Sequence, residues 1–284
     1  MNRNGESQIS EAGLDGKLRL LFERLRALGS VVVAFSGGAD SAFLAWASNH
    51  VLGARALAVT ALSPSFSGYD REQAAAFARQ ASLRHEVIET SELDNPEYAA
   101  NGPDRCYHCK DELFRELEKL RQARGFTALA YGLNTDDLRD FRPGHRAATV
   151  HGVLAPLQEA GLSKNEIREL SRRAGLSTWD RPASACLSSR VPYGIAVTAE
   201  VLSRVERAEN ALRELGFRQF RVRSHGDLAR IEIAPQEFSL ALRPEMAQAF
   251  ASRLHAVGFT FVALDLDGYR QGSLNTVLAA KNAT

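Results

Sequence analysis

Two groups of residues in this chain have types and spacings that could do chemistry. The first is Ser36-Gly37-Gly38-Ala39-Asp40-Ser41, which follows the apolar run VVVAF at 31–35 and precedes the helical pattern FLAWASNHVL. A loop that leaves a buried strand and enters a helix presents backbone N–H groups and the positive end of the helix dipole. In a parallel sheet that place, beyond the carboxyl ends of the strands, is where ligands bind. Gly37 and Gly38 let an anion approach the backbone closely, and Ser36 and Ser41 add hydroxyl donors. The loop has no lysine in the Walker position, which excludes the ordinary γ-phosphate cradle. A plain Gly-Ser turn with Asp40 capping the helix is the alternative. A second strand-end motif, Gly132-Leu133-Asn134-Thr135-Asp136-Asp137, follows TALAY and is expected at the same sheet edge. Gly132 and Asn134 are candidates to face a nucleotide there, while an Asx turn that caps a helix accounts for these residues equally well.

The second group is the three cysteines. Cys106 and Cys109 are spaced C-x-x-C among Arg105, His108 and Lys110, a basic setting that favours thiolate. Cys186 lies far downstream in a stretch rich in Pro and Ser. Three cysteines in a chain of this size do not make a secreted disulfide framework, and in a reducing compartment the pair points to metal or redox chemistry. Inert buried thiols, or a zinc ion with His108 as fourth ligand, are the competing readings. Arg221 and Arg223 flank Val222 on an expected strand, so both fall on one face about 7 Å apart. That spacing suits a phosphate; a solvated basic edge with Arg218 and Arg230 is the bland reading.

The elements that must position these residues follow from periodicity. Strands are expected at 31–35, 56–62, 84–89 and 127–132, with helices at 17–28, 41–50, 69–82 and 109–124 between or before them. Strands alternating with helices imply an α/β fold with a doubly wound parallel sheet. Residues 140–196 read as an elaborated connection around a site, interrupted by the helix KNEIRELSRRAG, which starts near Ser163 or Lys164 and stops at Gly175. A smaller C-terminal α+β domain follows, with a helix whose face carries Val201, Leu202, Val205, Ala208, Leu212 and Leu215, the strands FRVRS and ARIEIA, a helix near 244–257 and the strand TFVALDL. The expected domains are 1–194 and 195–284, in keeping with 284 residues of which 45% are hydrophobic. A formal net charge of +1 gives no global field for nucleic acid or an anionic membrane, so an anionic partner must be held locally. The polar opening MNRNGESQISEAG and the short apolar runs lead to the expectation of a cytoplasmic protein with no membrane association.

S-G-G-x-D-S resembles the PP-loop of ATP pyrophosphatases, which split ATP between the α and β phosphates. Arg105-Cys106-Tyr107-His108-Cys109-Lys110 and Arg181-Pro182-Ala183-Ser184-Ala185-Cys186-Leu187-Ser188-Ser189-Arg190, followed by Val191-Pro192-Tyr193-Gly194, narrow the likeness. With GLNTDD, the RPG at 142–144, RVR at 221–223 and GYRQGSLN, they resemble the LarE family, the ATP-dependent sulfurtransferases that build the nickel-pincer nucleotide cofactor. The resemblance covers residues 17–276 and implies a substrate, pyridinium-3,5-biscarboxylic acid mononucleotide, whose carboxylate is adenylated and converted to a thiocarboxylate. It implies that Ser36, Gly37, Gly38, Asp40, Ser41, Gly132 and Asn134 hold ATP or pyrophosphate, that Asp40 positions Mg²⁺, and that Arg221 and Arg223 take the substrate phosphate. It further implies a four-iron, four-sulfur cluster on Cys106, Cys109 and Cys186, whereas members keeping only the cysteine at the position of Cys186 sacrifice its sulfur. Asp40 and Cys186 are then the catalytic residues, and the expected partners are the mononucleotide, a sulfide donor and further copies of the chain. A PP-loop tRNA thiolase, an amidotransferase-like synthetase or a non-enzymatic ATP-sensing module are the competing functions, separated by whether pyrophosphate is released with a given acceptor.

Overall fold

Strands covered on both faces read as continuous apolar runs, and VVVA and ALAVTAL form such strands. In the computed structural model, which describes residues 11–139, 143–182, 184–270 and 272–275, they are β1 (Val31–Ala34) and β2 (Ala56–Leu62), joined by β3 (His85–Glu89) and β4 (Ala128–Tyr131). Arg142, Ala183 and Gln271 of the quoted motifs lie outside the described residues. The four strands form one sheet in the order β3-β2-β1-β4, every pair parallel, as the alternation of elements predicts. β3 is an edge strand, and its alternating pattern with Val87 exposed reflects cover on one side only.

The chain divides into two units, one of Met1–Leu62, Gly68–Thr90 and Lys110–Ala183, the other of Ser63–Ser67, Ser91–Cys109 and Ser184–Thr284. The first holds the parallel sheet. Its loop helix, Ala39–Leu52, is apolar nearly all round, and Ala42, Phe43, Leu44, Ala45 and Ala47 are all buried. A helix with no polar face must be covered on every side, here by the sheet and by the helices Glu11–Ala27 and Lys164–Arg173. The helix Lys164–Arg173 starts on a capping box: Ser163 Oγ accepts from Glu166 N, and Glu166 Oε2 accepts from Ser163 N at 2.9 Å. Lys164 is thereby fixed as the first helical residue.

The second unit contains β5 (Phe220–His225), β6 (Leu228–Ile233) and β7 (Phe261–Leu264) in that order, β5 antiparallel and β7 parallel to β6. The helices Ala199–Glu214 and Pro244–Ala256 bury Ala208, Leu212, Phe250 and Leu254 with Val222, Ile231 and Ile233 in its core. Two carboxylates are fully buried beside that core. Glu209 pairs with Arg190 at 2.9 Å, and Glu232 with Arg223 at 2.7 Å. Among the described residues no helix is long and apolar enough to cross a membrane.

Candidate active site

In the first unit β1 runs through Phe35 into the loop at 36–38, whose geometry depends on two glycines. Gly37 adopts φ +74, and a Cβ there would lie 2.9 Å from the Cβ of Ala74. Gly132, just past β4, passes so near the loop that a Cβ would meet Ser41 N at 2.8 Å and Asp40 C at 3.0 Å. The serines brace the loop from within. Ser41 Oγ donates to the Gly38 carbonyl at 3.0 Å and lies 3.1 Å from Ser36 Oγ. Gly38 is the N-cap of the loop helix, and no side chain caps it. Asp40 sits in the first helical turn and does not act as the cap, so the plain-turn reading fails at that point.

Asp40 Oδ2 accepts from Lys164 Nζ at 2.5 Å and from Asn134 Nδ2 at 3.3 Å. Its other oxygen, Oδ1, is buried and has no hydrogen-bond partner among the described residues. Burial pushes the Asp40 carboxyl above its ordinary range, partly offset by the Lys164 charge. A desolvated anionic oxygen left unmatched is costly unless a cation meets it, and a hard divalent ion such as Mg²⁺ fits that donor. Asn134 forms the Asx turn, its Oδ1 accepting from the N–H groups of Asp136 and Asp137, while its amide donates to Asp40 Oδ2.

Two functional candidates escaped sequence reasoning. Lys164 was seen only as a helix start, yet a lysine at the positive end of a helix dipole is electrostatically misplaced, and that mismatch was the available signal. Arg181 lies in the segment that carries Cys186, and its type alone assigns it no role. It donates from Nη1 to the Gly37 carbonyl at 2.8 Å and from Nη2 to Asp70 at 2.7 Å, tying the loop to the helix Gly68–Gln80.

Gly132→Ala gives a direct check on this arrangement. The added methyl collides with backbone, so we expect a loss of about 1–3 kcal/mol of stability and weaker ATP binding, read by thermal melting and nucleotide titration. Unchanged ATP affinity would show that the loop does not depend on this close approach.

All three cysteines belong to the second unit. Cys106 and Cys109 lie on the first turns of the helix Arg105–Ala123, and Cys186 is the N-cap of the short turn Leu187–Arg190. Arg105 is buried and donates from Nη1 to the Ser188 carbonyl at 2.9 Å, bridging the two segments; burial works against its charge, and interactions with Cys186 and Cys106 more than offset that cost. Burial, and after it the proximity of Cys186 and Cys109, raises the Tyr98 hydroxyl well above the usual range. Tyr98 Oη also lies 2.5 Å from Ser188 Oγ, so the segment before Cys106 and the turn after Cys186 are in contact. Among the described residues no three His, Cys, Asp or Glu side chains are gathered as ligands of a single ion, and His108 Nδ1 lies 3.3 Å from Glu97. Cys109 packs against the apolar cluster that contains Leu187, the residue after Cys186.

Arg221 and Arg223 share a face of β5 as alternation requires, but their surroundings differ from a solvated edge. Arg223 is buried and donates to Glu232 at 2.7 Å, to the Ser189 carbonyl at 2.8 Å and to Ser273 Oγ at 2.9 Å. Arg221 lies 5.1 Å from the Tyr269 ring centre; burial and the nearby Arg190 lower its pKa to about 10, which leaves it charged at neutral pH. Arg190 in turn donates to the carbonyls of Ala185 and Cys186 while paired with Glu209, so a buried ion pair holds the turn at Cys186.

The parallel sheet and the glycine–serine loop opening an uncapped helix define the PP-loop class of α/β folds. No protein-family profile matches the chain. It is 34% identical over 94% of its length to the pyridinium-3,5-bisthiocarboxylic acid mononucleotide synthase of Lactiplantibacillus plantarum, covering 96% of that protein. It is also 44% identical to an uncharacterised protein of a Synechocystis strain, over 93% of this chain and 99% of that one, and 27% identical to one of Methanocaldococcus jannaschii, over 84% and 90%. The chain belongs to the LarE family, as its motifs led us to expect.

Proposed function

We propose that the protein is an ATP-dependent sulfurtransferase that converts a carboxylate of pyridinium-3,5-biscarboxylic acid mononucleotide to a thiocarboxylate, releasing AMP and pyrophosphate. The observation that carries the ATP half is Asp40, with one buried oxygen unmatched and the other held by Lys164 and Asn134 beside an uncapped helix start. The relative whose name specifies this thiocarboxylate product supports the acceptor half.

A carboxylate is a poor electrophile because its leaving group would be oxide. Its oxygen attacks the α-phosphorus of ATP, the bond to the β-phosphate oxygen breaks, and pyrophosphate leaves on the loop. Backbone N–H groups at 37–41 and the Lys164 ammonium oppose the charge that gathers there. Asp40 would hold Mg²⁺, which when bound neutralises phosphate charge. Hydrosulfide then adds to the carbonyl carbon of the acyl-adenylate, and the carbon–oxygen bond to AMP breaks. Cys106, Cys109 and Cys186 would hold the four-iron, four-sulfur cluster, which when bound supplies the extra sulfide. Pyrophosphate release tests the reading: the mononucleotide should trigger it, and release with tRNA, or none with any acceptor, would favour a thiolase or an ATP sensor instead.

Arg221 and Arg223 on β5 are proposed to take the substrate phosphate, Arg223 while also donating to Glu232, Ser189 and Ser273 and Arg221 while donating to the Phe220 carbonyl. Arg221→Ala should weaken mononucleotide binding by about 1.5–3 kcal/mol with ATP affinity unchanged. Calorimetric titration giving wild-type affinity for the mononucleotide would remove Arg221 from the site.

A further inference from the structure

Asn101 is fully buried, and its backbone sits at φ +56, a left-handed region that few residues other than glycine and asparagine enter. Its hydrogen bonds account for both. Nδ2 donates to the carbonyls of Pro192 and Ile195 at 2.8 Å and of Val191 at 3.3 Å, while Oδ1 accepts from Arg105 Nη1 at 2.5 Å. Its own carbonyl accepts from Gly194 N at 3.1 Å, and that of Ala99 from Val197 N at 2.8 Å. Arg105, with 4% exposure, gives the same Nη1 to the Ser188 carbonyl at 2.9 Å, and Tyr98 Oη lies 2.5 Å from Ser188 Oγ. The turn that leads into Cys106 is in this way sewn to the residues that follow Cys186.

The core next to it consists of Leu187, Val191, Val197, Leu202 and Val205 with Tyr98, and an apolar residue at 101 would extend that core. A glycine would take the positive φ at no steric cost. Neither would choose which carbonyls of 191–195 turn inward. Asparagine does, because a buried amide must satisfy its donors and acceptor in one geometry.

We infer that Asn101 is the positioning residue of the three-cysteine site: through its amide and through Arg105 it holds the Cys186 segment against the helix start bearing Cys106 and Cys109, so that all three thiols can engage one iron–sulfur cluster. The inference rests on the cluster reading above. Its physical content is effective concentration, since thiols fixed near one another react together far faster than thiols on independent loops.

Asn101→Gly keeps the backbone conformation available and deletes only the amide. The test uses the iron-free protein under anaerobic conditions, with dibromobimane joining Cys186 to Cys106 or Cys109, mapped by peptide mass and normalised to single alkylation by iodoacetamide. We expect the normalised cross-link yield to fall at least about tenfold in Asn101→Gly, with single alkylation and ATP affinity unchanged, and iron bound on reconstitution to fall with it. A merely structural role would lower melting temperature, ATP affinity and single-thiol reactivity together. Wild-type cross-linking in Asn101→Gly, or none in the wild type, overturns the inference. A wild type that cross-links yet takes up no iron keeps the positioning role and removes the cluster. If Asn101→Gly fails to fold, Arg105→Lys severs the second bridge with the charge kept, and its cross-link yield is read in the same way.

Discussion

Replacing Asp40 by Asn should lower acceptor-dependent pyrophosphate release by at least about a hundredfold, the scale expected when charge stabilisation on transferring phosphate is lost. The substitution keeps the shape and one acceptor oxygen for Lys164 and Asn134, but replaces the anionic oxygen that has no partner by a neutral NH₂. Folding should survive. Burial raises the Asp40 carboxyl, so its charge is carried at some cost to the folded state. Lys164, one-third exposed, can turn to water when its partner is neutralised. The melting temperature should therefore hold while turnover collapses. Wild-type pyrophosphate release in a folded Asp40→Asn protein would show that the carboxylate has no part in the chemistry.

The second large effect is at the cysteines, where two routes for sulfur predict different patterns. With a cluster on Cys106, Cys109 and Cys186, alanine at any of the three should abolish thiocarboxylate formation while adenylation of the acceptor continues. If Cys186 gives up its own sulfur, Cys106→Ala and Cys109→Ala should each complete one turnover, and the chain should lose the mass of one H₂S as Cys186 becomes dehydroalanine. The buried contacts that join the two cysteine-bearing segments, from Arg105 to the Ser188 carbonyl and from Tyr98 to Ser188 Oγ, favour the first pattern. Intact-protein mass after a single anaerobic turnover separates the two, and an iron-free protein that transfers sulfur while losing that mass would end the cluster reading.

Much of the first unit was legible in the sequence for a simple reason. β1, β2 and β4 are buried parallel strands, and burial on both faces leaves apolar runs whose ends are marked by glycines and polar turns, so their limits fall within a residue or so of those expected. The loop at 36–41 was legible because strand, glycines and helix follow in the order an anion site demands. Lys164 and Arg181 were not, because their partners, Asp40 and the Gly37 carbonyl, are more than a hundred positions away in the chain. Residues 63–67 and 91–109 belong with 184–284, and no local pattern announces such interleaving. Arg223 shows the limit of alternation: it correctly assigns a face, but whether an arginine meets solvent or a buried glutamate depends on Glu232 across the sheet.

The central claim is that sulfur enters an acyl-adenylate made at the glycine–serine loop. The most direct test is a single anaerobic turnover with the mononucleotide and α-³²P-labelled ATP, in which nucleotide products and thiocarboxylate are counted together. One AMP and one pyrophosphate per thiocarboxylate, with no product when ATP is left out, is the predicted result. ADP and phosphate in their place, or thiocarboxylate formed without AMP, would contradict it.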